Sequence, residues 1–261
     1  MRGRVLVVAG SDSGGGAGIQ ADIKTVTALG AYAATAVTAL TAQDTRGVYG
    51  VMPVSAAFVR AQMRAVLDDI GADVVKTGML GDAALIEEVC DALGADMRVV
   101  VDPVMVATSG ARLLDPAAVG TLRRRLLPLA EVLTPNVPEA EALTGMRIAD
   151  EADMMEAARR LLAMGPRAVL LKGGHLDGES CADFLVTGEG VEVFRAPRIA
   201  TRNTHGTGCT LASAVAAGLA QDMTLPAAVA RAHAYVQAAI ASAPGYGGGH
   251  GPLDHATWVG A

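Results

Sequence analysis

The chain of 261 residues is 51% hydrophobic, which is enough apolar sequence for a large α/β domain with a substantial core. Its formal net charge is −6 and its 21 Lys and Arg residues are dispersed, so the sequence lacks the basic stripe that neutralises nucleic-acid phosphates. No apolar run reaches the roughly 18 residues of a membrane span, and we therefore expect neither a nucleic-acid partner nor a membrane.

The three cysteines favour a reducing compartment. Cys90, Cys181 and Cys209 are odd in number, lie far apart and form no CxxC pair, which argues against a disulfide framework or a structural zinc site. We therefore expect a cytoplasmic protein. The sequence contains no internal repeat and no interdomain linker, so we predict a single domain over residues 1–261.

The N-terminal segment predicts a strand, a glycine-rich loop and a helix. Residues 5–9 form a continuous apolar run, typical of a strand buried on both faces of a parallel sheet, and glycines then interrupt residues 10–18. This loop has neither a Walker motif nor a clean GxGxxG, so the spacing predicts only a substrate loop at a strand end. Asp22 lies one turn into the helix and is expected to face the crevice; the alternative is a first-turn acid that favours the helix dipole.

The next elements continue the alternation of strands and helices. A β-rich segment over residues 31–40 delivers Gln43, a candidate ring-binding amide, before a predicted turn segment over residues 47–53. Asp102 directly follows a strand predicted over residues 98–101, at the position where open α/β sheets bind ligands. The other elements predicted here are a helix over residues 55–70, a strand over 73–76, a helix over 82–93 and a strand over 98–101.

Asn136 and Glu139 follow a strand predicted over residues 131–133, which itself follows a helix over 115–127. One interpretation is a capping box, in which Asn136 caps the next helix and Glu139 lies in its first turn. The other is that the pair holds waters of Mg²⁺, a hard cation that keeps its hydration and binds few carboxylates. The sequence leaves both interpretations open.

Lys172 ends a buried strand predicted over residues 168–171, from which it is able to reach a phosphate; the alternative is a solvated lysine at a strand end. Short strands over residues 184–186 and 191–194 predict an antiparallel hairpin at the sheet edge. The remaining predicted elements are helices over residues 150–164, 207–220 and 226–243, and a flexible loop over 245–251.

Residues 203–210, with the sequence Asn-Thr-His-Gly-Thr-Gly-Cys-Thr, predict an anion hole that leads into a helix. Gly206 and Gly208 let the backbone fold tightly with its N–H groups directed at one point, where the helix N-terminus adds about half a positive charge. Cys209 lies in the first helical turn, where the same field lowers the pKa of a thiol and favours the thiolate. The alternative is a glycine-rich turn before a buried helix, with Cys209 as a small core residue.

The polar and glycine-rich groups follow six predicted strands, so they are expected along one edge of one sheet. An anion hole, a lysine, an Asn-x-x-Glu pair and a ring-binding amide together indicate phosphoryl transfer without a Walker motif. The stretches that carry this pattern are residues 10–22, 134–139, 171–175 and 203–209.

These four stretches, in this order, resemble the hydroxymethylpyrimidine/phosphomethylpyrimidine kinases of thiamine biosynthesis, which belong to the ribokinase-like family. The resemblance covers nearly the whole chain. It implies an α/β fold, a three-layer αβα sandwich with a mostly parallel central sheet. It also implies ATP and Mg²⁺ as cofactors, 4-amino-5-hydroxymethyl-2-methylpyrimidine or its monophosphate as the acceptor, and a homodimer.

The resemblance further implies roles for the matching residues. Cys209 stands where most ribokinase-like enzymes place an aspartate base, and Lys172 is expected to bind phosphate. The residues expected to stabilise the transferred phosphoryl group are Gly206, Thr207 and Gly208. The residues expected to contact the acceptor are Gly10, Asp22, Gln43, Met79 and Val104. The residues expected to contact the nucleotide are Asn136, Lys172, Thr204 and Gly208. The expected metal ligands are Asp102, Asn136 and Glu139.

Two alternatives to this function stay open at the level of sequence. A pyridoxine, pyridoxal or pyridoxamine kinase would use the same motifs, because its substrates also carry a hydroxymethyl group on a six-membered heteroaromatic ring. A protein that binds the pyrimidine without turnover would need Asp22 and Gln43 but not Asn136, Glu139 or Lys172. The presence of the latter three residues favours an enzyme.

Overall fold

The computed structural model of the chain describes residues 1–94, 96–107, 110–176 and 178–259. Within these residues the chain forms a nine-stranded sheet with the strand order β3-β2-β1-β4-β5-β6-β7-β8-β9. The strands are β1 (Arg4–Asp12), β2 (Tyr32–Gln43), β3 (Val48–Pro53), β4 (Val74–Thr77), β5 (Arg98–Val101), β6 (Val132–Leu133), β7 (Ala168–Leu171), β8 (Ser180–Thr187) and β9 (Val191–Pro197). The six strands from β2 to β7 in this order are parallel, and β3, β8 and β9 are antiparallel to their neighbours.

Helices cover both faces of the sheet. They are α1 (Gly18–Ala28), α2 (Ala56–Asp69), α3 (Ala83–Ala92), α4 (Val119–Thr121), α5 (Val137–Thr144), α6 (Glu151–Leu162), α7 (Thr207–Ala220) and α8 (Leu225–Ala241). One apolar core joins the sheet to α2, α3, α5 and α6, and the other joins it to α1, α7 and α8. The described elements therefore form the predicted three-layer αβα sandwich.

The continuous apolar run of β1 explains this arrangement. Successive side chains of a strand point to opposite faces, so Leu6 and Val8 enter one core while Val5 and Val7 enter the other, and all four are buried. A strand that is apolar on both faces is stable only where helices cover both faces. For that reason β1 lies inside the sheet, between β2 and β4.

Three predicted elements differ from the structure. Residues 47–53, predicted as a turn segment, contain the edge strand β3 (Val48–Pro53), which pairs with β2 in antiparallel register. The helix predicted over residues 115–127 is a succession of short 3₁₀, α and π turns that runs from Pro116 to Leu129. The loop over 245–251, predicted to be flexible, is hydrogen-bonded to the loop between β2 and β3. The backbone N–H of His250 donates to the Thr45 carbonyl at 2.7 Å.

No helix among the described residues is both long enough and apolar enough to cross a membrane.

Candidate active site

A cavity of about 670 Å³ lies at the carboxyl ends of the parallel strands. Its wall includes the residues at or just after the ends of β1, β2, β4, β5, β6 and β7, and the first turn of α7. The strand order reverses at β1, and open α/β sheets bind ligands in the crevice at such a reversal. The topology therefore concentrates the polar ends of many strands at one place.

The structure brings nearly all of the predicted site residues to this cavity. Those that line it are Gly10, Gln43, Met79, Asp102, Val104, Asn136, Glu139, Lys172, Thr204, Gly206, Thr207, Gly208 and Cys209. They come from elements far apart in the sequence, and they lie together because strand ends, the loops that follow them and the start of α7 meet at the same edge of the sheet.

Asp22 is the predicted residue that does not line the cavity. It lies in the first part of α1, but its carboxylate is fully buried and accepts hydrogen bonds from Lys76 Nζ at 2.9 and 3.1 Å. The Ser213 hydroxyl donates to the same carboxylate at 2.6 Å. The expectation that Asp22 contacts the acceptor ring directly is therefore corrected, because its oxygens bind these two buried side chains behind the cavity wall.

The anion hole is built from two glycine turns in contact. Gly206 has a φ of +83°, a left-handed conformation that favours glycine, and a Cβ at this position would collide with the carbonyl oxygen of Gly16. A Cβ on Gly208 would lie 3.2 Å from Lys172 Nζ. The missing side chains thus leave backbone N–H groups of the first turn of α7 close to an ammonium group, an arrangement suited to a phosphate.

Lys172 is the cation of this site. Its Nζ lies 3.2 Å from Asp102 Oδ1, and only 13% of its side chain is exposed. Burial opposes its charge, but the carboxylates of Asp102 and Glu139 outweigh that cost and raise the pKa of Lys172. The lysine is therefore charged at neutral pH.

Asn136 and Glu139 form the capping box of α5, one of the two interpretations of the sequence. The Asn136 side chain accepts from the Glu139 backbone N–H at 2.9 Å, and the Glu139 side chain accepts from the Asn136 backbone N–H at 2.8 Å. Both residues also line the cavity, so the capping role does not exclude the other interpretation. Burial raises the pKa of Glu139 to about 7, opposed by Lys172 and reinforced by Asp102.

The donor set suits a hydrated magnesium ion. Asp102 and Glu139 offer carboxylate oxygens and Asn136 an amide oxygen, which are the hard ligands that Mg²⁺ binds. Among the described residues, no three Asp, Glu, His or Cys side chains converge in a way that would hold a metal alone. The residues thus fit an ion that keeps waters and binds the phosphates of its nucleotide.

Cys209 lies in the first turn of α7 and lines the cavity, as expected. Its protonation differs from the expectation, because burial raises the pKa of the thiol to about 12. The charge of Lys76 opposes this shift, whereas Asp22 and Asp102 add to it. Desolvation therefore outweighs the field of the helix terminus, and the thiol of the free protein is protonated at neutral pH.

Asp12 and His205 form a contact that the sequence interpretation missed. His205 Nε2 lies 2.8 Å from Asp12 Oδ2, and both side chains are buried at the cavity. The residues are 193 positions apart, so no local pattern pairs them. The only signal was that each lies in a glycine-rich stretch that follows a strand.

Comparisons with known proteins show the family of the chain. A family model described as phosphomethylpyrimidine kinase matches residues 12–254. The chain is similar to a hydroxymethylpyrimidine/phosphomethylpyrimidine kinase of Streptomyces coelicolor, with 53% identity over 252 residues that cover 96% of this chain and 93% of the relative. It is 57% identical over 256 residues to the thiamine biosynthesis bifunctional protein ThiED of Geobacter sulfurreducens, and these cover 97% of this chain but only 52% of that longer relative.

A solved structure is also similar. The crystal structure of an ADP complex of Bacillus subtilis pyridoxal kinase is 38% identical, has a TM-score of 0.90 and covers 98% of both chains. This likeness over nearly the whole chain confirms the predicted ribokinase-like fold.

Proposed function

The chain belongs to the phosphomethylpyrimidine kinase family, whose model matches residues 12–254, and from this membership we propose that it transfers the γ-phosphoryl group of ATP to 4-amino-5-hydroxymethyl-2-methylpyrimidine or its monophosphate. The observation that carries the proposal is one cavity in which the first turn of α7, Lys172 and two carboxylates face an amide and an apolar wall. Phosphoryl transfer requires mainly positioning and charge neutralisation, and these groups supply both.

We assign the two ends of the cavity to different ligands, the acceptor ring and the nucleotide. Gly10, Gln43, Met79 and Val104 line the part that we assign to the acceptor ring, where an amide gives orientation and apolar walls give contact area. Thr204, Gly208, Asn136 and Lys172 line the part that we assign to the nucleotide phosphates.

Mg²⁺ would be held by Asp102, Glu139 and Asn136 through oxygen ligands and water. When bound, it neutralises charge on the phosphates. Lys172 adds a second positive charge, and its contact with Asp102 at 3.2 Å keeps its ammonium group beside Gly208. The backbone N–H groups that start α7 stabilise charge that develops on the transferred group.

Cys209 is the residue to which we assign the proton of the acceptor hydroxyl. It lies next to the N–H groups of the anion hole and lines the same cavity. Its raised pKa means that the thiolate is a strong base but a rare species in the free protein. The assignment therefore requires that cationic charge gathers at the site before proton transfer.

Pyridoxal is a second candidate acceptor. The pyridoxal kinase structure from Bacillus subtilis aligns with 98% of this chain at a TM-score of 0.90, so a pyridoxal kinase shares this backbone framework. Gln43 favours the aminopyrimidine, because a half-buried amide paired with a ring nitrogen and an exocyclic amine discriminates against rings that leave it unpaired.

We also propose a homodimer in the cytoplasm. Large apolar side chains are exposed along β2, β3 and α2, at one edge of the sheet, among them Leu40, Tyr49, Met52 and Phe58. An exposed apolar edge strand favours aggregation unless another surface covers it, and a second copy of the chain would provide that surface. The three free cysteines suit a reducing compartment.

The test is ATP consumption with each acceptor in the presence of Mg²⁺. We expect turnover with the hydroxymethylpyrimidine, and a lower kcat/KM with pyridoxal. Comparable kcat/KM values for the two acceptors would favour pyridoxal kinase activity as an equal function. No ATP consumption with either acceptor would overturn both proposed activities.

A further inference from the structure

Lys76 on β4 and Asp22 on α1 form an ion pair inside the protein. Both side chains are fully buried, and Lys76 Nζ donates to Asp22 Oδ1 at 2.9 Å and to Oδ2 at 3.1 Å. The Ser213 hydroxyl on α7 donates to Oδ1 at 2.6 Å. A buried ion pair is a weak source of stability, because the cost of desolvating two charges is comparable to their attraction. Its position therefore matters more than its energy.

The ammonium group of Lys76 lies directly behind the wall of the active-site cavity. Gly78, which follows β4, lines the cavity. A Cβ on Gly78 would lie only 3.2 Å from Lys76 Nζ, so the missing side chain lets the backbone of the wall approach the ammonium group closely. A buried positive charge is thus held next to the space where phosphoryl transfer is proposed.

Ser213 shows on which side of α7 the ion pair lies. Residues four apart lie on the same face of a helix, so Ser213 lies one turn after Cys209 on a common face. Helical side chains tilt toward the N-terminus, which directs the Ser213 hydroxyl toward the turn that contains Cys209. Both α1 and β4 pack against α7. The ion pair therefore lies beneath the first turns of α7, on the face that carries the thiol.

The ammonium group keeps a donor that its partner does not use. An ammonium has three N–H groups, and among the described residues the Asp22 carboxylate is the only acceptor that Lys76 Nζ binds, through two contacts. Burial opposes the charge of Lys76, but the neighbouring anions, Asp22 first, outweigh that cost and raise the pKa of Lys76. Since buried donors are nearly always paired, a free donor here suits an anion that forms only during turnover.

The thiol of Cys209 is a group that this charge reaches. Burial raises the pKa of the thiol, and Lys76 lowers that pKa by more than Asp22 raises it. The ion pair therefore acts on the thiol as a net cation. The other charged or polar groups that act on the thiol are Asp102, Lys172 and the backbone N–H of Gly18.

We propose that Lys76 is a positioning residue whose buried ammonium group stabilises the thiolate of Cys209. Asp22 and Ser213 hold that group in place. The inference rests on the proposed function, in which Cys209 receives the proton of the acceptor hydroxyl. The thiol must first lose its own proton to water, and a cation of fixed position lowers the cost of that step without moving during the reaction. Part of the positive charge that the base requires is thus present before nucleotide and metal bind.

The first test measures the thiolate without turnover. Iodoacetamide reacts with thiolates and carries no charge, so charge changes in the protein do not alter its attraction to the site. The variant is Lys76→Met/Asp22→Asn, which removes both charges and leaves no buried ion unpaired. We expect alkylation of Cys209 at neutral pH to fall about threefold, because about tenfold less thiolate is partly offset by its higher nucleophilicity.

Cys181 is the internal control for this measurement. It also lines the cavity, but it lies on β8, which β5, β6 and β7 separate from the strand of Lys76. Peptide mass spectrometry follows both cysteines in the same sample, and the rate at Cys181 should stay at the parent value. If the variant does not fold, Lys76→Gln/Asp22→Asn replaces the ions by two amides that can bind each other, and it should give the same loss at Cys209.

The second test shows whether the charge acts through Cys209. The single-turnover rate of phosphoryl transfer should fall in Lys76→Met/Asp22→Asn by a factor similar to that of alkylation. In a Cys209→Ala protein the same two substitutions should lower the rate no further, because the group through which they act is already absent.

Unchanged alkylation of Cys209 in the double variant would overturn the inference. An equal loss at Cys181 would do the same, because it indicates a general change in the fold. So would a further loss of rate in the Cys209→Ala protein. A parent protein that does not phosphorylate the aminopyrimidine would instead overturn the proposed function and leave the alkylation result intact, so the two failures are distinct.

Discussion

Cys209 combines a position that suits a base with a pKa that opposes one. Its thiol lies in the first turn of α7, yet burial raises its pKa to about 12. General-base catalysis typically contributes about 10²- to 10⁴-fold, so Cys209→Ala should lose turnover on that scale while ADP affinity stays the same. Single-turnover kinetics and calorimetric ADP titration measure the two quantities. Turnover within about threefold of the parent, well below that general-base range, would return Cys209 to a packing role.

Glu139 gives a prediction for the dependence of stability on pH. Its folded-state pKa of about 7 lies above its ordinary value of 4.5, so the folded protein binds this proton more tightly than the unfolded chain. The free energy of unfolding therefore falls as pH rises from 4.5 to 7, because the unfolded chain releases this proton while the folded protein keeps it. Glu139→Gln removes that cost and keeps an oxygen for the Asn136 N–H.

Without metal, we expect Glu139→Gln to gain stability relative to the parent at pH 8 and to match it at pH 5. Urea unfolding at both pH values measures the difference. With Mg²⁺ and ATP, the same variant should need more metal for half-maximal turnover, because it has lost a carboxylate ligand. An unchanged magnesium titration would leave Glu139 with its capping role alone.

The turn that starts α7 depends on a glycine for two separate reasons. Gly206→Ala adds the strain of a left-handed alanine, about 1 to 2 kcal/mol, and drives a Cβ into the Gly16 carbonyl. Gly245 is a matched control, because its φ is +72° and nothing lies within 4 Å of an added Cβ. We expect Gly245→Ala to show the strain alone and Gly206→Ala to be less stable still and inactive. Chemical denaturation and ATP turnover compare the two variants, and equal losses of stability would contradict the contact between the loops.

At the scale of elements, the strand-end rule explains what the sequence could predict. Asp102, Asn136 and Lys172 follow parallel strands, so their common location follows from topology alone. Asp22 lies on a helix instead, and sequence spacing does not reveal that Lys76, from β4, forms a buried ion pair with its carboxylate. β3 was misread because Gly50 and Pro53 suggest a turn, whereas pairing with β2 makes it an edge strand.

Side-chain pairs between segments remote in the sequence could not be predicted, because a single sequence does not give the distance between such segments. The bond between Asp12 and His205 exists only because two glycine turns approach closely enough to exclude any Cβ between them. A single sequence contains the glycines but not their distance. The protonation of Cys209 was predicted wrongly because the helix terminus is visible in the sequence, whereas the degree of desolvation is not.

The whole molecule has two unlike sheet edges, and this yields a test of the proposed dimer. β3 at one edge exposes Tyr49 and Met52, each at 68%, whereas β9 ends the sheet on the opposite side. We expect sedimentation to give twice the mass of one chain, and Met52→Asp to convert the dimer to a monomer. Val191→Asp, on β9, is the matched control and should remain dimeric. A parent protein that sediments as a monomer would remove the homodimer from the proposal.

The strand order also has a consequence for the time at which the protein can act during its synthesis. All nine strands of the described residues precede position 198, whereas the anion hole needs Gly206, Gly208 and α7, and His205 further binds the Gly251 carbonyl at 3.1 Å. A ribosome therefore synthesises every strand of the described residues before α7 and α8, and until these helices are made one face of the sheet lacks most of its covering layer. The sheet and the phosphate site are therefore completed together, and the capacity for turnover arises only when the last segment of the chain has been translated.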